Sequence, residues 1–132
     1  CDSGPVVAAA DLDWNGDDVP WQPFDEGRVA ELDGQTVFID FTADWCLTCK
    51  VNEKTVLNTA TVRNAMQASG VVPLKADWTR KDEVITKWLQ RYGRAGVPFY
   101  LVIPKNRSME PIALPEVITP DLVAEALARA SG

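Results

Sequence analysis

The run "TVFIDF", residues 36–41, constrains this 132-residue chain more than any other stretch. It is β-branched and aromatic, which reads as a buried strand. Asp40 nevertheless stands inside it, where a central strand should carry no charge. Six residues after Asp40 begins "CLTCKVNEKTVLN", which reads as a helix from Cys46 onward. A buried strand feeding a helix whose first turn holds two cysteines is thus the centre of the fold.

The remaining pattern builds around that unit. "DEGRVAEL" suits a short helix ended by Asp33-Gly34, and "TATVRNAMQASG" a helix with Thr59 or Thr61 as cap and Gly70 as stop. "VVPLKADWT" is a second strand. "RKDEVITKWLQRYG" is a helix with Val84, Ile85, Trp88 and Leu89 on one stripe. "VPFYLVIP" is a third strand, "KNRS" a turn and "EPIALP" a short fourth strand. "TPDLVAEALARA" closes the chain as a helix with Thr119 as N-cap and Pro120 at its first position. An early crossover and a late hairpin predict an α/β fold: a central mixed sheet of about four strands flanked by helices on both faces. Residues 25–132 form one domain, and residues 1–24 an extended lead-in pinned to it by Trp14, Trp21 or Phe24. In that lead-in, Asp11, Asp13, Asn15 and Gly16 match the start of a calcium loop. Gln22 then stands where a bidentate carboxylate belongs, and Pro20 and Pro23 obstruct an exiting helix, so a solvated acidic turn is the expectation.

Composition narrows the chemistry. Thirteen basic and nineteen acidic residues give a formal charge of −6, which is unlike the basic stripe of a nucleic-acid binder. No apolar run approaches the roughly 20 residues a membrane helix needs, so the polypeptide reads as soluble as it stands. The absence of histidine excludes Ser-His-Asp and Cys-His catalysis and imidazole-based metal sites. The chain opens on Cys1 without a methionine or signal peptide, as a processed lipoprotein or as an excerpt of something longer.

C-x-x-C at a strand-to-helix junction has a physical consequence. Cys46 falls at the helix N-terminus, where unpaired N–H groups favour a thiolate, whereas Cys49 faces the body one turn on. That supplies an exposed nucleophile and a shielded resolving thiol, as exchange through a mixed disulfide requires. Structural zinc needs four ligands and finds too few here. Cu(I) held by two thiolates, and a pair of inert buried cysteines, stay as alternatives. Glu53, four residues after Cys49, lies on the same helix face, so Asp40 and Glu53 both approach the buried thiol if that face packs on the sheet. A buried carboxyl tends to stay protonated and can pass protons to and from Cys49. The alternative is a solvated Glu53 and an Asp40 hydrogen-bonded to backbone. Trp45 shapes the rim or packs in the core, and Trp78 and Trp88 are core residues.

"VFIDFTADWCLTCK" and "GVPFYLV" resemble the thioredoxin superfamily, with Asp40 as its buried acid and Pro98 as its cis-proline. The resemblance implies that Pro98 faces the pair and that the backbone of Val97 pairs with an incoming peptide strand. "ADWCLTCKVNE" resembles more specifically the C-terminal periplasmic domain of DsbD-type membrane protein-disulfide reductases, and "IALPEVITPDLVAEAL" their ScsB-like branch. Glu53 falls on that family's second acid. The family implies no cofactor beyond the Cys46–Cys49 disulfide and places a monomeric domain at the periplasmic face of the bacterial inner membrane. A transmembrane domain would supply its electrons, and an N-terminal periplasmic domain or another disulfide-bearing protein would receive them. "CLTC" lacks thioredoxin's proline, and Thr42 stands where thioredoxin has an aromatic residue. An independent membrane-tethered reductase and a Cu(I)-binding module are the alternatives.

Overall fold

The structure, a computed structural model, describes Trp14 and residues 19–32, 34–106 and 108–131. Cys1 and the acidic-turn residues Asp11, Asp13, Asn15 and Gly16 lie outside the described residues. The elements are β1 (Gln22–Pro23), α1 (Glu26–Glu31), β2 (Val37–Thr42), α2 (Leu47–Asn52) continued by a π-helical turn (Glu53–Leu57), and α3 (Ala60–Ser69). They continue with β3 (Val72–Asp77), α4 (Glu83–Arg91), β4 (Phe99–Ile103), β5 (Ile112–Leu114) and α5 (Pro120–Ser131).

One five-stranded sheet runs in the order β1-β3-β2-β4-β5. β1 and β2 flank β3 in parallel, whereas β4 is antiparallel to β2 and β5 antiparallel to β4. β2 is therefore central, and all six of its residues are buried. Successive side chains of a strand point to opposite faces. Val37, Ile39 and Phe41 accordingly pack toward α1 and α4, with Leu32, Trp88 and Leu89. Phe38 packs toward α3 and α5, with Met66, Val123 and Leu127. By the same alternation Asp40 enters the second face, the one that also receives Val56 and Leu57 of the π turn.

The element order follows the sequence expectation with instructive differences. The sheet has five strands rather than about four, because Gln22–Pro23, inside the segment read as an extended lead-in, pairs with Leu74 and Lys75. Phe24 N–H then donates to the Lys75 carbonyl at 3.0 Å. A proline is tolerated on this edge strand, and two residues are too short to show a period. The helix beginning at the cysteines is not uniform. Asn58 N–H reaches the Glu53 carbonyl at 2.8 Å, a wider π-type closure that follows α2.

Capping fixes the other boundaries. Thr59, not Thr61, caps α3, and Gly70 ends it in the left-handed conformation at φ 67°, which a residue lacking Cβ adopts without steric cost. α4 starts only at Glu83, because the Asp82 carboxylate accepts from Ile85 N–H. That leaves Val84 on the first turn and exposed, outside the stripe of Ile85, Trp88 and Leu89 that the sequence assigned it to. Thr119 caps α5 by accepting from Leu122 N–H at 3.1 Å. Trp78 and Trp88 are buried, and each satisfies its indole N–H, on Thr86 Oγ1 and Glu26 Oε2 respectively.

Candidate active site

The end of β2 and the start of α2 place the cysteines. Cys46 is the last extended residue before the helix, and its Sγ accepts from Cys49 N–H at 3.1 Å. The two residues form a disulfide with their Cα atoms 5.3 Å apart. Both cysteines are buried, Cys46 with 7% of its surface exposed and Cys49 with none, so Cys46 is less open than the exposed thiol expected from the sequence. Ala43 and Val97 pack against the pair, and the Val97–Pro98 peptide bond is cis. β4 begins at Phe99, directly after Pro98, so the loop entering the sheet forms the wall beside the disulfide.

The strand that leads to the pair also carries a carboxyl into the protein interior. Asp40 is fully buried, and with both acids ionised no donor reaches its carboxyl oxygens or the buried Glu53 Oε2; only a protonated carboxyl on one of the two can hydrogen-bond the other. The expected alternative, an Asp40 satisfied by backbone, is therefore absent. Burial pushes the Asp40 carboxyl well above the usual carboxylate range, and the negative charge and hydrogen-bonding carboxyl of Glu53 push it further. Lys75, opposite Asp40 on β3, opposes that shift without cancelling it. Tyr100, opposite Asp40 on β4, is itself pushed upward by burial and by the charge of Asp40, so it stays a neutral phenol. A proton shared between Asp40 and Glu53 would satisfy the orphaned oxygens at once.

The rim is held from the neighbouring loop. Trp45 is half exposed, and its indole N–H donates to the Thr79 carbonyl at 3.0 Å. Asp44 N–H donates to Thr79 Oγ1 at 2.8 Å, and that hydroxyl donates to Asp77 Oδ1. The Thr79 hydrogen bonds hold the Asp77 carboxyl below its usual range. Lys81, in the left-handed region at φ 52°, sets its ammonium 5.7 Å from the Trp45 ring and 5.6 Å from that of Trp78. Leu47, Val51 and Val117 add exposed apolar surface.

Of the seven sequence-derived site residues, Cys46, Cys49 and Val97 pack together, Pro98 follows Val97, and Trp45 precedes Cys46, whereas Asp40 and Glu53 interact with each other on the second face of β2. Sequence reasoning passed over Asn52, Tyr100 and Thr79. Asn52 carried a readable signal, being three residues after Cys49 on the face that also carries Glu53. Tyr100 and Thr79 carried none, since their roles depend on strand register and on a loop approach. Among the described residues no group of three or more His, Cys, Asp or Glu is arranged to hold a metal ion.

A family model described as thioredoxin-like matches residues 21–105, which include the whole of this site. The chain belongs to the thioredoxin-like family. Within that family it is similar to the thiol:disulfide interchange protein DsbD of Pseudomonas sp. (strain JR1 / K1), 40% identical over 74 residues, 56% of this chain and 12% of that protein. DsbD of Ralstonia nicotianae is 33% identical over 85 residues, 64% of this chain and 14% of that protein. The thioredoxin-like chain thus spans only about an eighth of the length of the curated relatives it matches. In fold it is similar to the DsbD C-terminal domain of Neisseria meningitidis in the oxidised form, with a TM-score of 0.64 and 22% identity over 83% of this chain and 98% of that one.

Proposed function

We infer that this domain is a thiol–disulfide oxidoreductase working as a protein-disulfide reductase, and that it relays electrons between a membrane-embedded domain and a periplasmic partner. The observation that carries this reading is the Cys46–Cys49 disulfide at the start of α2, directly after the strand that holds the fully buried Asp40. Similarity to DsbD proteins supports the relay and its location at the periplasmic face of the inner membrane. No helix among the described residues is long and apolar enough to cross a membrane, so the membrane part would belong to other segments.

The cycle has two halves. A thiolate of the upstream donor attacks Cys46 Sγ, the Cys46–Cys49 bond breaks, and Cys49 leaves as a thiolate that takes a proton from the Asp40 carboxyl. The donor's second thiolate then attacks its own sulfur in the mixed disulfide and frees Cys46, leaving the domain reduced. In the second half the Cys46 thiolate attacks the partner's disulfide. Cys49 gives its proton back to the Asp40 carboxylate and attacks Cys46 Sγ, which reforms the domain's disulfide. Two electrons have then reached the partner; its two thiolates take their protons from water, into which the donor's two thiols released theirs, and the Asp40 proton is back where it began. Asp40 suits both directions, because a carboxyl held above its ordinary range by burial keeps a proton to donate and, once ionised, readily takes one back. Val97 and Pro98 offer backbone beside the pair for an incoming extended segment, and Trp45 borders it.

Cys46→Ser tests the assignment of the attacking thiol. Reduction of a disulfide-bearing protein by the dithiothreitol-reduced domain should fall to the uncatalysed rate, because Cys49 is sealed from solvent. Turnover retained above about a tenth of the wild-type rate would mean that another group attacks.

A further inference from the structure

One buried polar side chain beside the acid pair has no part in the cycle above. Asn52 is the last residue of α2, immediately before Glu53 and three after Cys49. Its Nδ2 uses both hydrogens: one goes to Tyr100 Oη at 2.9 Å, the other to the Glu116 carbonyl at 3.0 Å. A single amide thus ties the cysteine-bearing helix to β4, two residues past Pro98, and to the loop between β5 and α5.

We propose that Asn52, through Tyr100 and the Glu116 carbonyl, is the positioning residue that holds Glu53 against Asp40. The need for such a device follows from solvation. Glu53 is only partly buried, and a carboxylate with one orphaned oxygen inside gains by turning outward to water. The helix gives it the freedom to do so, because the hydrogen-bond pattern widens to a π turn at Glu53 itself, where helical restraint on rotation is weaker. Two hydrogen bonds on the preceding residue fix the depth and rotation of the helix at that point. Asn52 cannot exchange protons, and Tyr100 stays neutral, so the anchor keeps its strength while Asp40 titrates. The groups facing Asp40 are then Glu53 from the π turn, Lys75 from β3 and Tyr100 from β4. Releasing Glu53 withdraws its charge and its hydrogen bond from Asp40, which lowers the Asp40 pKa while desolvation still holds it above the ordinary range.

The proposal rests on the acid-pair reading of the cycle, and the test separates the two. Reduction of the Cys46–Cys49 disulfide by dithiothreitol, followed by tryptophan fluorescence across pH 5 to 9 and corrected for the reagent's own thiolate fraction, gives the profile in which Asp40 acts as proton donor. In Asn52→Ala the inflection should move to lower pH, and the corrected rate at pH 7 should fall about three- to tenfold. Tyr100→Phe keeps the ring and removes the acceptor, so it should move the profile the same way by less. In an Asp40→Asn background, Asn52→Ala should produce no further change in the profile. A wild-type profile in Asn52→Ala, with only a lowered melting temperature, would overturn the positioning role and leave the acid-pair reading intact. A wild-type profile in Asp40→Asn would overturn both. Should Asn52→Ala fail to fold, Tyr100→Phe decides, and an unshifted profile there counts against the proposal.

Discussion

Cys49→Ser is expected to leave the domain covalently joined to its partner. Cys46 keeps its exposure and attacks a partner disulfide as before, but the attack on Cys46 Sγ that releases the product requires a thiolate at position 49. Only a second thiol from outside could resolve the complex, and the mixed disulfide sits against Ala43 and Val97, where access is restricted. Non-reducing electrophoresis after mixing with an oxidised, disulfide-bearing partner domain should therefore show a dithiothreitol-sensitive band at the summed mass, accumulating close to stoichiometrically. Wild type should show little of it. Multiple-turnover rates should drop by at least about a hundredfold. Normal turnover by the serine variant would reverse the roles assigned to the two cysteines.

The second large effect concerns Asp40, where stability and activity should move in opposite directions. Its folded-state pKa is raised, so between the ordinary carboxylate value of about 3.9 and the raised value the native state holds a proton that the unfolded state has lost. Fewer protons on the unfolded state mean that stability falls as pH rises through that window. Asp40→Asn removes the dependence. The variant should gain roughly 1–3 kcal/mol over wild type at pH 8, because Asn has no charge for burial to penalise, and the gap should close toward pH 4. Asp77, whose pKa is lowered, has the opposite sign: its contribution is present above its unfolded value and lost only on acidification below it. The two carboxyls therefore separate in a pH series of urea denaturation curves on the oxidised protein. Exchange at pH 7 should meanwhile slow by about a hundredfold, because Cys49 loses its proton donor and acceptor. Parallel stability curves for wild type and variant between pH 4 and 8 would show that Asp40 carries no raised pKa.

What could be read from the sequence was whatever depends on local order. A charge inside "VFIDF" marked the buried acid, and the caps at Thr59 and Thr119 follow from side-chain chemistry next to helical periods. What escaped depends on tertiary approach. β1 exists because Lys75 offers an edge carbonyl, which nothing in residues 22–23 announces. The π turn needs the particular closure of Asn58 onto Glu53. Val84 fits a helical stripe by spacing yet precedes the turn at which the stripe meets the sheet, because Asp82 caps the helix late. Tyr100 entered the site through its register with Asp40, and strand register across an antiparallel pair is set by partners far away in the chain.

The equilibrium reduction potential of the Cys46–Cys49 pair tests the reductase reading most directly. Asp40, fully buried in the strand that leads to the pair and interacting with Glu53, disfavours a neighbouring thiolate when ionised and so does not stabilise the reduced form as the surroundings of a strong oxidant do. Titration against dithiothreitol and glutathione, read by tryptophan fluorescence, should place the pair between about −270 and −220 mV. A potential near about −120 mV would make the domain a donor of disulfides and contradict the electron relay.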